Sequence, residues 1–203
     1  MKALLIVDLQ NDFMPGGPLG VPEADTLADV INPLLGHFPL VVTSQDWHPA
    51  HHISFASEHM GKKVGDQIHV GRGLQTLWPV HCVRNTQGAA LVSSLHKEKI
   101  TTSFFKGTDE KIDSYSAFFD NDHTTSTGLG DFLKTHNVTD LFIAGVATDY
   151  CVLYSALDAL SLGFRVYIIQ DACKPICLHK QDEEKALAQV VMKGGHIIFS
   201  HSL

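Results

Sequence analysis

The chain predicts an α/β fold: a doubly wound, six-stranded, mostly parallel sheet with helices on both faces. Three observations lead there. Six short apolar runs recur along the 203 residues, and the leading one is continuous rather than alternating, as a strand buried on both faces must be. Helix-period segments separate the later runs, and alternating strands and helices imply crossover connections and a parallel sheet. Length and a 44% hydrophobic content suffice for one substantial core, so residues 1–203 are expected to form a single domain.

The elements follow in order. KALLIVDL is the first buried strand, and PEADTLADVINPLLGHF after it carries helical apolar spacing until Pro33, which is expected to kink or stop the helix. PLVVTS, KITTSFF, VTDLFIAGV, FRVYIIQ and HIIFS are the remaining strands. TGLGDFLKTHN, DYCVLYSALDALSLG and QDEEKALAQVVMKGG are helical segments before the last three of them. The segment from Gln45 to Glu98 lacks a clear period and is rich in His and Gly; a loop that long in a compact domain usually carries function.

Bulk composition narrows the partners. A net charge of −7 offers no basic surface for nucleic acid or anionic lipid. The apolar stretch before Asp8 is too short for a signal-peptide core or a membrane span, so a cytoplasmic protein is expected. Four cysteines do not make a disulfide framework at this length and are expected to remain thiols. No heptad seam or apolar stripe marks an interface, which leaves a monomer or a small homo-oligomer.

In open parallel sheets, ligands bind beyond the carboxyl ends of the strands. Asp8, Asp46, His48, Lys106 and Cys151 all fall at or just after such ends. Cys151 lies where a strand hands over to a helix, whose N-terminus favours a thiolate; the alternative is a buried, inert cysteine, as Cys82, Cys173 and Cys177 are expected to be. Asp8, at the end of an apolar strand, needs a partner or a proton to move, whereas Asp12 suits a turn cap. Lys106 is either a surface lysine or the cation that pairs Asp8 and supports the thiolate. In SQDWHPAHHISF, Asp46 and His48 share one side of an extended segment; His81 offers a third metal ligand and His52 a fourth, with His51 the less suitable neighbour. Such a mixed nitrogen and oxygen set suits one divalent ion, zinc, iron or manganese. Phe13, Trp78 and Tyr115 read, on composition, as packing residues.

Taken together, LLIVDLQNDF, SQDWHPAHHISFASEH, LWPVHCV, FFKG, DSYSAFFDN and GVATDYCVLYSALDAL resemble, in the same order, the motifs of the nicotinamidases, a branch of the isochorismatase-like cysteine hydrolases. The resemblance spans about residue 4 to residue 199. It implies hydrolysis of nicotinamide to nicotinate and ammonia in NAD salvage, with pyrazinamide as a further substrate. It places Asp8, Lys106 and Cys151 on a catalytic triad, and Asp46, His48 and His81 on a metal site, with His52 at a position that ligates metal in some members only. It also implies a cis peptide from Val146 to Ala147, an oxyanion hole formed by the N–H groups of Ala147 and Cys151, and a pyridine ring enclosed by Phe13, Trp78 and Tyr115.

Overall fold

A computed structural model describes residues 1–71 and 73–203. In chain order its elements are β1 (Lys2–Val7), α1 (Leu27–Leu34), β2 (Val41–Asp46), β3 (Gln67–Val70), β4 (Gly73–Thr76), β5 (Thr102–Lys106), α2 (Leu129–Thr135), β6 (Asp140–Val146), α3 (Leu153–Ser161), β7 (Arg165–Lys174), α4 (Asp182–Met192) and β8 (His196–Ile198). Among the described residues, no helix is long and apolar enough to cross a membrane.

β1 is apolar from Ala3 to Val7 because it serves two cores. Ala3, Leu5 and Val7 point into one, with Leu129 and Leu133 of α2, Ala156 of α3 and Val190 of α4. Leu4 and Ile6 point into the other, with Leu27, Ile31 and Leu34 of α1. A strand with apolar neighbours on both faces has no position left for a polar residue. The six-stranded sheet runs β5-β2-β1-β6-β7-β8, and every pairing in it is parallel. The predicted doubly wound sheet with helices on both faces is the fold observed.

The strand order sets the site. From β1 the chain winds outward through β2 and β5, then returns to the other side of β1 as β6 and winds away again. The gap between oppositely directed crossovers therefore opens above the carboxyl ends of β1 and β6, where ligands of such sheets bind. Register brings the edge residues level: Val7 pairs with Ser44 and with Gly145, and Asp46 lies opposite Lys106.

Several details refine the sequence reading, and Cys177, expected to be buried, is exposed. Pro33 sits inside the last turn of α1, and the helix ends one residue beyond it. β2 runs two residues past the predicted apolar stretch, so Asp46 closes the strand instead of following it. The long Gln45–Glu98 segment contains an antiparallel hairpin, β3 with β4, outside the main sheet.

Candidate active site

Three charged groups and a thiol meet at the switch point. Lys106, the last residue of β5, is only 2% exposed. Its Nζ donates to Asp46 Oδ1, to the Ser114 carbonyl at 2.8 Å and to Cys151 Sγ at 3.3 Å. Asp8 Oδ2 lies 2.9 Å from the same nitrogen, so one ammonium is shared among four neighbours and pairs both carboxylates. Ser44 Oγ donates to the other oxygen, Oδ1, at 2.7 Å, leaving Oδ2 without a directed hydrogen bond.

The electrostatics follow from burial. Burial pushes the Cys151 thiol well above its ordinary range, with the Lys106 ammonium acting in the opposite sense, so the resting group is the protonated thiol. Burial also raises the Asp8 carboxyl, again against Lys106, which makes it a stronger base than an ordinary carboxylate. Burial opposes the charge on Lys106, yet the Asp46 and Asp8 carboxylates hold it well above the usual lysine range. The Lys106 side chain is the pairing cation and not a solvated surface group.

The turn that carries Cys151 is made by residues that leave the sheet abruptly. Gly145 has φ +119°, and a Cβ there would lie 2.0 Å from the Val7 carbonyl oxygen, so only glycine lets β6 pass β1 this closely. The peptide from Val146 to Ala147 is cis, as the resemblance implies. A π-helical turn, Thr148–Val152, then carries Cys151 into α3.

The expected metal ligands converge. Donor atoms of Asp46, His48 and His81 lie within 4.8 Å of one another. His48 Nδ1 sits 2.9 Å from the Gly107 carbonyl and His81 Nδ1 2.8 Å from the Pro79 carbonyl. Carbonyls only accept, so each Nδ1 carries a proton, and each Nε2 is left to face Asp46 Oδ2, at 3.7 and 3.8 Å. Although burial works against it, the Lys106 ammonium helps hold the Asp46 carboxyl well below the usual range, as an anion. Two imidazole Nε2 atoms and a carboxylate oxygen brought this close together fit a divalent cation.

His52 is placed differently. Its donor atoms group with those of His48 and Asp113, not with the Asp46, His48 and His81 set. Its Nδ1 is 2.7 Å from Ser54 Oγ, its Nε2 has no partner, and its ring stacks on His48 at 4.1 Å. Burial, reinforced by His48, lowers its pKa to about 4, so it is neutral. The His51 side chain is exposed and lies 3.3 Å from Glu58, away from this cluster.

A narrow cavity adjoins these groups, lined by Phe13, Trp78 and Tyr115 together with Leu19, Tyr150, Ile176, Ala147 and Cys151. The three aromatics are therefore walls and not only core filling. Trp78 Nε1 donates to Tyr115 Oη at 3.2 Å, and Phe13 packs edge-on against His81.

Several supporting residues escaped the sequence reading. Gln10 is fully buried; its Oε1 accepts the Asp46 N–H at 2.8 Å and its Nε2 donates to the Asp46 carbonyl at 2.8 Å, which clamps that ligand's backbone. Gly107, at φ +60°, leaves room for the His48 ring, whose Cε1 would be 2.4 Å from an added Cβ. Asp12, expected to cap the turn that follows it, reaches across the loop instead: Oδ2 accepts the Cys82 N–H at 2.7 Å, beside His81. A polar residue directly after an apolar strand was the only signal for Gln10, and its partner lies 36 residues away.

The chain belongs to the isochorismatase domain family, whose sequence profile matches residues 2–202. Within it, the chain is 45% identical over 197 residues to the nicotinamidase of Escherichia coli strain K12, covering 95% of this chain and 92% of that one. Its structure is similar to that of the Acinetobacter baumanii nicotinamidase and pyrazinamidase, with a TM-score of 0.96, 43% identity and coverage of 99% and 97% of the two chains. The pyrazinamidase of Pyrococcus horikoshii, solved in complex with zinc, superposes with a TM-score of 0.79 at 38% identity, covering 98% of each chain.

Proposed function

We propose that this chain is a cysteine amidohydrolase that converts nicotinamide to nicotinate and ammonia, accepts pyrazinamide, and holds one divalent cation at Asp46, His48 and His81. One observation carries the chemistry: the Lys106 ammonium lies 2.9 Å from Asp8 Oδ2 and 3.3 Å from Cys151 Sγ, which joins a base, a cation and a thiol in one buried cluster. Among relatives of this fold, the zinc in the Pyrococcus horikoshii structure supports a divalent ion and makes zinc the first candidate, with iron and manganese suited to the same donors.

Asp8 Oδ2 takes the Cys151 proton, and the Lys106 ammonium, 3.3 Å from the sulfur, stabilises the thiolate as it forms. Asp46, His48 and His81 would hold the cation, which would supply a Lewis-acid anchor for the pyridine nitrogen. Phe13, Trp78 and Tyr115 enclose the ring, so the carboxamide is held toward Cys151. The thiolate attacks the amide carbon, and its carbonyl oxygen becomes an oxyanion. Ala147 and Cys151 both line the cavity, and their backbone N–H groups are the donors for that oxygen; loss of one such donor typically raises a barrier by about 3 kcal/mol. Asp8 then protonates the departing amine, ammonia leaves, and a thioester on Cys151 remains. Asp8 next takes a proton from water, whose oxygen attacks the thioester; nicotinate departs and the thiol is restored.

The test is ammonia release from nicotinamide by the metal-loaded protein, with Cys151→Ala and Asp8→Ala alongside. Wild type is expected to turn over, and each variant to lose at least about a thousandfold in kcat, as removal of a nucleophile or its base does elsewhere. Full activity in the Cys151 variant would refute the covalent route.

A further inference from the structure

Asp149 takes no part in the proton transfers described above, yet it is only 8% exposed and lies in the turn between Ala147 and Cys151. Its Oδ1 accepts the Ile176 N–H at 2.9 Å and its Oδ2 the Cys177 N–H at 2.8 Å. Both carboxylate oxygens are thus committed to the backbone of the segment that follows β7. Charge-assisted bonds of this kind are roughly twice as strong as neutral ones. The segment needs holding, because Cys177 has φ +52°, a conformation that non-glycine residues seldom adopt. Ile176 projects from it into the cavity wall, in the same lining as Phe13, Leu19 and Trp78. The turn that carries the nucleophile is therefore tied directly to the wall that faces the substrate.

We propose that Asp149 and Ile176 set the upper size of the acyl group: Ile176 is the specificity-determining wall, and Asp149 is the positioning residue that keeps it from retreating. The inference rests on the amidase reading of the cavity. The cavity is narrow, so a wall residue such as Ile176 limits what fits beside Cys151. A carboxamide with an added ring substituent needs space that Ile176 occupies, and that space opens only if the two bonds from Asp149 break.

The experiment compares nicotinamide with ring-methylated nicotinamides as substrates for metal-loaded wild type, Ile176→Ala, Asp149→Asn and Asp149→Ala. The readout is the ratio of kcat/KM for each methylated amide to that for nicotinamide. A general loss of structure lowers both terms and leaves the ratio in place. The expected result is a rise of at least about tenfold in that ratio for one or more isomers in Ile176→Ala, since one methyl group in a tight apolar pocket discriminates by roughly 10- to 200-fold. Asp149→Asn, which keeps one acceptor oxygen, is expected to raise the ratio for the same isomers by a smaller factor, and Asp149→Ala, where it folds, by a larger one. Unchanged ratios for every isomer in Ile176→Ala and Asp149→Asn would overturn the proposal while leaving the amidase reading intact. If wild type does not hydrolyse nicotinamide, the amidase reading falls, and the size limit is read from alkylation of Cys151 in a Cys177→Ser background. There, Ile176→Ala is expected to raise the rate with iodoacetanilide relative to iodoacetamide by about tenfold. An unchanged ratio of those rates would overturn it.

Discussion

Gly107 shows how a residue without a side chain decides a binding site. It follows Lys106 directly, adopts φ +60°, offers its carbonyl to His48 Nδ1 and makes room for that ring by having no Cβ. Gly107→Ala would place a methyl group 2.4 Å from a ring that is itself buried. The ring must rotate, and its Nε2 leaves the line toward Asp46 and His81. We expect metal affinity to fall about 10- to 100-fold, the usual cost of disturbing a partner that orients a ligand, as measured by elemental analysis and competitive metal titration. Undiminished affinity would show that His48 does not depend on this glycine. Lys106 and Gly107 are adjacent in FFKG. The lysine was legible as a charge at a strand end, whereas the glycine was not, because its meaning lies in a ring 59 residues away.

At the scale of elements, the turn after Phe119 supports the site from behind. Ser114, whose carbonyl receives a Lys106 proton, donates its hydroxyl to the Phe119 carbonyl at 2.7 Å. The next residue, Asp120, ties the turn by accepting the N–H groups of Thr124 at 2.8 Å and Thr125 at 2.9 Å. Burial works to raise the Asp120 carboxyl, but the bonds from Thr124 and Thr125 outweigh it and hold the group below its ordinary value of 3.8. A carboxyl depressed in the folded state contributes stability that is present above its unfolded pKa and lost as pH falls through its folded value. Asp120→Asn is therefore expected to lower Tm near pH 7, with the gap from wild type closing as pH drops below about 3.8. Thermal melts across that range check it, and a gap independent of pH would exclude the ionic contribution. Elements were legible where burial was complete. After their first residues β1 and β6 are continuous apolar runs, whereas β3 is only four residues long and its two apolar side chains, Ile68 and Val70, are half-exposed, too short a pattern to announce a strand. β7 extends four residues beyond its predicted end, where Asp171 breaks the apolar pattern but is satisfied by the Ser200 N–H and hydroxyl.

For the whole molecule, the proposed cation joins segments that are far apart in sequence: the end of β2, the loop behind it, and the stretch around His81. A ligand that binds only the folded state stabilises it by about 2.7 kcal/mol at a hundredfold excess over Kd. For a chain of this size that corresponds to roughly 5–10 °C in Tm. Chelation should lower Tm by that amount and readdition should restore it, whereas in Asp46→Ala both treatments should have no effect. A wild-type melt indifferent to chelator would remove the cation from this site. At this scale the sequence was most informative, because the alternation of strands and helices dictates the sheet, and the sheet dictates which residues share its edge. It was least informative about contacts such as Asp149 with Ile176 and Cys177, which arise only after two distant loops have been folded against each other.

Asp8 and Asp46 carry one negative charge each, Lys106 one positive, and the resting thiol none. In the proposed route a proton passes from Cys151 to Asp8, so a negative charge moves from carboxylate to sulfur while the total stays the same. Acylation of the thiol and release of ammonia then need no proton from outside the buried cluster: a neutral amide enters, neutral ammonia leaves, and the net charge of the interior is the same before and after.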